Sequence, residues 1–302
     1  MKAVNVYLVE GERGWSLVDS GMHTPEAERA LDAGLADARV PMRELRRAFI
    51  THLHPDHMGL AGTLERSGVE VVMHRPEIAA ARRVWAADHA LVDEVYAFFE
   101  RHGMPHDLDE GMRQAWIEMG SRVDPLDAPV AADDGDAVDL GARATRLRWT
   151  PGHTDYHAVL VEERDRILFA GDHVLPRISS NVGLYPHSRE DPLGDFLDAL
   201  RNIRDLPVTR VLPAHGEPFE DLAGRVDELL AHHDARLDAV LAALGSRRRT
   251  GYEVSHDLFR NLRSPNEERF ALAETLAHLR HLERRGRVSE LDGEPARWRA
   301  AA

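Results

Sequence analysis

The segment Thr51-His52-Leu53-His54-Pro55-Asp56-His57 constrains this chain more than any other feature. It follows an apolar run, Arg47 to Thr51, and precedes a glycine-opened helical pattern, Gly59 to Arg66. Side chains of extended backbone alternate with a period of two, so His52 and His54 face the same side. Pro55 does not continue a sheet ladder and suits a turn or a first helical position. The chain therefore turns a strand-to-helix corner here, which brings Asp56 and His57 toward the same cavity from a second direction. Neutral imidazole and carboxylate are the nitrogen and oxygen donors preferred by zinc and similar transition ions. One or two histidines would read as a polar surface loop. Three imidazoles and a carboxylate at this spacing read as a metal site.

Around this corner the chain alternates strand and helix. Residues 3 to 9 and 15 to 18 are expected as strands, the second ending at Asp19-Ser20-Gly21. Thr24-Pro25 reads as an N-cap and first helical residue, opening a helix to about Ala36. Another strand spans Val69 to His74. Such alternation indicates a layered α/β architecture. Residues 76 to 122 are helical in period, with Trp85, Val95, Phe99, Met112 and Trp116 among the apolar positions. They serve either as helix-packing faces or as an insertion roofing the active site and lining an acyl pocket, two compatible readings. Strand signals resume at 143–150, 157–162, 166–170 and 210–212, with a helix over 192–206. Three turns follow strands of this half: Pro151-Gly152-His153-Thr154, Ala170-Gly171-Asp172-His173 and Pro213-Ala214-His215-Gly216. Loops at strand ends are where a rigid scaffold places functional groups.

The tail changes character. Phe219 to Leu244 reads as a long helix broken at Gly245, followed by Arg247-Arg248-Arg249. Helices are expected over Tyr252–Arg260 and Pro265–Arg285, then a hairpin from Gly286–Leu291 and Pro295-Ala296-Arg297-Trp298. This is the outline of a winged helix. From Ala231 onward 13 arginines face 11 carboxylates, about +2, within a chain of net charge -14. That acidic total disfavours nonspecific attraction to phosphate backbones. At 302 residues the chain is long enough for one large domain plus a small one. No apolar run reaches bilayer-spanning length, and Met-Lys-Ala-Val-Asn-Val lacks a signal-peptide core, so no membrane association and a cytoplasmic location are expected. Without cysteine there is no disulfide, thiolate ligand or cysteine nucleophile.

Taken together, Thr51 to Gly59, His153, Asp172 and His215 resemble the metallo-β-lactamase superfamily signature, in order and with similar surroundings, over roughly residues 3 to 220. The helical tail is similar to that of the lactamase-β-2-like branch. The resemblance implies an α/β protein: an αββα sandwich over 1–220, with the helical insertion at about 76–122, plus a small C-terminal helical, winged-helix-like domain over 221–302. By position, His52, His54 and His153 would hold a first metal, and Asp56, His57 and His215 a second. Asp172 would bridge them, and Asp19 would support the site from outside it. Asp56 and Asp172 are also the expected catalytic carboxylates. The implied cofactor is two divalent ions, zinc first with iron or manganese as alternatives, about 4 Å apart with a hydroxide between them.

The implied activity is metal-dependent hydrolysis by that hydroxide, on a small-molecule thioester, ester or lactone, in a thioesterase-like enzyme that could form a homodimer. The alternative is a phosphodiesterase or endoribonuclease of the lactamase-β-2-like type, with nucleic acid as partner and Arg247–Arg249 contacting phosphate. A third reading, an iron-dependent sulfur oxygenase or a binding module, is separated from these by metal analysis. β-Lactam cleavage is not expected. Members with a cysteine ligand are excluded by composition, and those with an all-histidine second site lack an aspartate like Asp172.

Other residues have plainer readings. Ser20, Ser179 and Ser180 fall near the candidate ligands without support for a serine triad. His157 and His173 lie near the site, as packing groups or as contacts to substrate, and Tyr156 and Tyr185 suit the cleft rim. His23, His74, His89, His102, His106 and His187 read as ordinary loop or helix residues. His232, His233, His256, His278 and His281 read as surface or interhelix groups of the tail.

Overall fold

Period-two alternation builds the central layers. Along three neighbouring strands, Leu17, Ala48, Ile50, Val71 and Met73 face one way, into a core that also buries Leu35, Leu64 and Ile78 of the covering helices. The residues between them, Val18, Phe49 and Val72, face the other way and meet Leu147, Leu160 and Phe169 of a second sheet. A sheet with both faces covered needs apolar residues on both, which is why these strands read as nearly continuous apolar runs.

The computed structural model describes residues 3–87 and 90–301. The first sheet has the order β1 (Tyr7–Gly11), β2 (Gly14–Val18), β3 (Leu45–Ile50), β4 (Glu70–His74) and β5 (Val130–Ala132). β1 pairs antiparallel to β2, and the later pairs are parallel. Between the strands run α1 (Pro25–Asp37), α2 (Pro55–Met58) and α3 (Ala61–Arg66), followed after β4 by α4 (Arg75–Val84), α5 (Ala90–Arg101) and α6 (Asp109–Gly120). The second sheet runs β10-β9-β8-β7-β6, from β6 (Ala137–Asp139), β7 (Ala144–Trp149), β8 (Ala158–Glu162) and β9 (Ile167–Gly171) to β10 (Arg210–Pro213). Only β9 and β10 pair in parallel; α7 (Pro192–Ile203) makes the crossover between them. Thr24 caps α1 as expected, its hydroxyl accepting from the Ala27 amide. The short β5 and β6 lie outside the strands expected from the sequence.

The chain then forms α8 (Leu222–Leu244), α9 (Gly251–Leu258), α10 (Pro265–Arg284) and an antiparallel ribbon of β11 (Val288–Leu291) and β12 (Arg297–Ala300). Thr250 and Glu253 make a reciprocal capping box at the start of α9. Contacts group the chain into two compact units. The first comprises residues up to 87, 119–180 and 199–226, and contains both five-stranded sheets. The second comprises 90–118, 181–198 and 227–301. By contacts, α5 and most of α6 group with the tail. The reason lies in backbone pairing: Arg101 O accepts from Ala296 N at 2.7 Å, and His102 O accepts from Tyr252 N at 3.1 Å. The buried His102 ring stacks at 6.3 Å on Trp298, itself fully buried. Among the described residues, no helix is long and apolar enough to cross a membrane.

Candidate metal centre

β3 ends at Ile50, and after four residues Pro55 opens the first turn of α2, whose N-cap is His54. The His54 carbonyl then accepts from the His57 and Met58 amides, each at 3.0 Å. Asp172 and His215 follow the ends of the parallel strands β9 and β10, and His153 sits in the β7–β8 loop. All seven expected site residues lie in the first unit, and the structure brings them together.

His54 Nδ1 lies 3.0 Å from His52 Nε2 and 2.9 Å from His153 Nε2. Burial and the His57, His54 and His153 rings push His52 well below its ordinary value. Burial and His153, against the opposing charge of Asp56, push His54 down to about 3. These rings are neutral at pH 7, so they offer ring lone pairs to one point. Asp56 Oδ2 is 3.7 Å from His57 Nε2 and 3.3 Å from His215 Nε2. Asp172 faces both groups: its Oδ2 is 3.4 Å from His153 Nε2 and 3.7 Å from His57 Nε2, and its Oδ1 is 3.5 Å from His215 Nε2. Donor atoms around a tetrahedral zinc ion with bonds of about 2.0–2.2 Å sit roughly 3.3–3.6 Å apart.

The fit can be tested on hydrogen bonding. His57 Nε2, Asp172 Oδ1 and His215 Nε2 are buried without a hydrogen-bond partner. Leaving a buried polar atom unsatisfied costs about 1–3 kcal/mol, and a cation between these atoms removes that cost. Three residue groups have the closeness that one ion requires: His52, His54 and His153; His52, His57 and Asp172; and Asp56, His57 and His215. The residues present fit a divalent ion.

Outer contacts aim these donors. Asp19 Oδ2 meets His57 Nδ1 at 2.8 Å, while its Oδ1 accepts from the Thr51 amide at 2.8 Å and the Thr51 hydroxyl at 2.9 Å. Asp19 holds a left-handed backbone, φ 62°, unusual for a residue with a side chain and typical of functional corners. His215 Nδ1 meets Ala3 O at 2.7 Å, leaving Nε2 for the cavity. His157 Nε2 accepts from the Asp172 amide at 3.2 Å, and its Nδ1 meets the Thr150 hydroxyl at 2.8 Å. That bond explains Gly171: its φ is +50°, and a Cβ there would lie 2.6 Å from His157 Nε2.

Charge follows the same division. Burial opposes the ionised form of Asp172, but the His57, His153 and His215 imidazoles outweigh it and hold the carboxyl below its usual range. Asp56 is lowered likewise, burial being outweighed by His57 and His215. For His57, burial is outweighed by Asp19, Asp172 and Asp56, which raise it well above its ordinary value.

Residues with plainer readings find other roles. Ser20 Oγ donates to His57 O at 2.7 Å and Ser180 Oγ donates to Asp172 O, so both hydroxyls serve loop backbones. His173 is fully buried, its ring 6.0 Å from that of His157. His74 bonds Tyr156 O at 2.9 Å. His233 on α8 and His278 on α10 are buried and lie 3.3 Å apart, the interhelix rather than the surface alternative that the sequence suggests. His89 lies outside the described residues. Thr51 and Thr154 fall within the motifs without being singled out, and no sequence signal marks Glu77. Glu77 is fully buried, and its Oε1 accepts from Leu53 N and from the Thr154 hydroxyl, each at 2.8 Å. Burial, partly opposed by these bonds, raises its carboxyl to about 7.

Two mixed sheets thus carry a cluster of imidazoles and carboxylates with the closeness that metal binding requires. Residues 2–215 match the family model of the metallo-beta-lactamase superfamily, and residues 237–301 match that of the metallo-beta-lactamase-like C-terminal domain. The chain belongs to the metallo-beta-lactamase superfamily. It is 29% identical over 93% of its length to YqjP, a probable metallo-hydrolase of Bacillus subtilis, 88% of which is covered. A metallo-beta-lactamase family protein from Thermus thermophilus is 38% identical, with a TM-score of 0.88 over 99% of this chain and 94% of that one. A beta-lactamase domain protein from Burkholderia ambifaria is 30% identical, with a TM-score of 0.82 over 99% and 88% of the two chains.

Proposed function

We propose that the protein is a dinuclear metal-dependent hydrolase, zinc being the ion its donor set suits best, acting on a small thioester, ester or lactone. The observation that carries the dinuclear reading is the position of Asp172 Oδ2, 3.4 Å from His153 Nε2 of one cluster and 3.7 Å from His57 Nε2 of the other. His52, His54 and His153 would hold the first ion, Asp56, His57 and His215 the second, and Asp172 both. When bound, such ions polarise a substrate oxygen and lower the pKa of water from 15.7 toward about 7.

The chain's own residues supply orientation and proton handling. Asp19 holds a proton on His57 Nδ1, which directs Nε2 inward as the nitrogen that would give up its proton to an ion. Ala3 O does the same for His215. Asp56 is the half-exposed carboxylate of the group, and its Oδ2, 3.3 Å from His215 Nε2, can accept a hydrogen bond from a water entering between them and so orient it. The chain has no cysteine, and the hydroxyls of Ser20 and Ser180 are engaged with backbone carbonyls, so water is the nucleophile these residues support.

The net charge of -14 favours a small acyl substrate over nucleic acid. Of the run Arg247 to Arg249, the first two are exposed and the third is withdrawn from the nucleic-acid alternative. Arg249 bonds Asp257, Ala243 O and Glu253 O, so its guanidinium is spent inside the second unit. The test is turnover by metal-loaded protein of acyl-CoA, acylglutathione and lactone panels. Chelator-sensitive hydrolysis of one class supports the reading, and no turnover of any member contradicts it.

A further inference from the structure

Glu77 takes no part in the chemistry above, yet it is the buried carboxylate that joins the two loops carrying the first cluster. Leu53 lies between His52 and His54, and Thr154 follows His153 directly. One oxygen, Glu77 Oε1, accepts from Leu53 N and from the Thr154 hydroxyl, each at 2.8 Å. The carbonyl of Leu53 is held from the end of the same helix: the Trp85 indole N–H donates to Leu53 O at 2.8 Å. The two loops leave different sheets, one from β3 and one between β7 and β8. At the strand ends they are paired by Ala158 N and Thr51 O at 3.0 Å, and Glu77 fixes them further out, beside the imidazoles. Burying a carboxylate is costly, and an apolar side chain would fill the same space without that cost. What the carboxylate adds is a fixed separation between two peptide segments.

We propose that Glu77 is a positioning residue that sets the spacing of the His52/His54 and His153 loops, and so tunes metal affinity at that cluster. The inference rests on the metal-centre reading above. Outer contacts of this kind change metal affinity by about 10–100-fold when removed.

The test uses the full chain, freed of metal by chelation and titrated with cobalt(II), with stoichiometry, affinity and visible absorption recorded beside a thermal midpoint. Wild type is expected to bind cobalt with a spectrum characteristic of imidazole coordination. Glu77→Ala, assayed well below its own midpoint, is expected to bind the first cobalt about 10–100-fold more weakly with a shifted spectrum. Glu77→Gln keeps an oxygen able to accept both bonds and should stay within about threefold of wild type. Should Glu77→Ala not fold, Thr154→Val removes one of the two bonds with little change of shape, and should weaken cobalt binding measurably at unchanged fold. Wild-type affinity and spectrum in folded Glu77→Ala, or in Thr154→Val where Glu77→Ala does not fold, overturns the inference and leaves Glu77 a purely structural group. Absence of cobalt binding by the wild type overturns the metal-centre reading itself, and this inference with it.

Discussion

Asp19 Oδ2 and His57 Nδ1 lie 2.8 Å apart in a fully buried pair, while the other ring nitrogen of His57 faces Asp56 and Asp172 at 3.7 Å. This relationship aims the ring: Asp19 retains the proton on Nδ1, so the proton that a cation displaces is the one on Nε2. Asp19→Asn keeps a residue that tolerates left-handed backbone but can place an amide donor against the His57 N–H. Metal affinity and turnover are expected to fall by about 10–100-fold, with little change in secondary structure. Cobalt titration and circular dichroism of the variant check both parts.

His54→Ala should abolish turnover and leave the fold intact. Its ring meets His52 and His153, whereas the backbone bonds that form the corner belong to its carbonyl and survive the change. A loss greater than about a hundredfold is expected, beyond the range of outer contacts. Stability should stay within about 1 kcal/mol of wild type. Thermal unfolding beside the hydrolysis assay separates this from a structural role for the cluster, which would unfold the variant.

Glu77 gives stability a defined pH dependence. Its carboxyl is raised from 4.5 to about 7, so the folded chain keeps a proton that the unfolded chain has released across that window. The stabilisation is present below about pH 4.5 and is lost as pH rises toward 7, about 3 kcal/mol at roughly 1.4 kcal/mol per pKa unit. Glu77→Gln should flatten this decline. Urea unfolding of both proteins from pH 4.5 to 7.5 measures it, and parallel curves contradict it.

The opposite slope is expected from the second unit. Burial and neighbouring charge lower His233 to about 3; burial, against a bond to Glu274 O, lowers His278 to about 4. His232, Arg236 and His281 crowd the pair, and Glu274 bears on it through its carbonyl. Below pH 6.5 the unfolded chain takes up protons that the folded pair refuses, so stability falls with pH toward about 4. His278→Leu should unfold at lower pH than wild type in acid titrations followed by tryptophan fluorescence.

The strand-to-helix corner at Pro55 is legible in the sequence because its chemistry is local: an apolar strand, a proline and donors at fixed spacing. The loops at His153, Asp172 and His215 are legible for the same reason. β5 and β6, three residues each, are not, since so short a strand shows no period in a stretch rich in aspartate and alanine. The grouping of α5 with the tail depends on partners such as Ala296 and Tyr252, far along the chain, and no local pattern announces them. Glu77 escapes notice because a glutamate in the first turn of a helix usually complements the helix dipole at the surface. His233 and His278 show the same limit, since helical spacing does not say which histidine a neighbouring helix will cover.

The most direct test of the account is to count the ions and locate them. Elemental analysis of metal-replete protein, with anomalous diffraction at the zinc edge, should find two ions per chain, one among His52, His54 and His153 and one among Asp56, His57 and His215, with Asp172 between them. A cavity without anomalous signal after metal loading, or one ion bound away from these side chains, would contradict it.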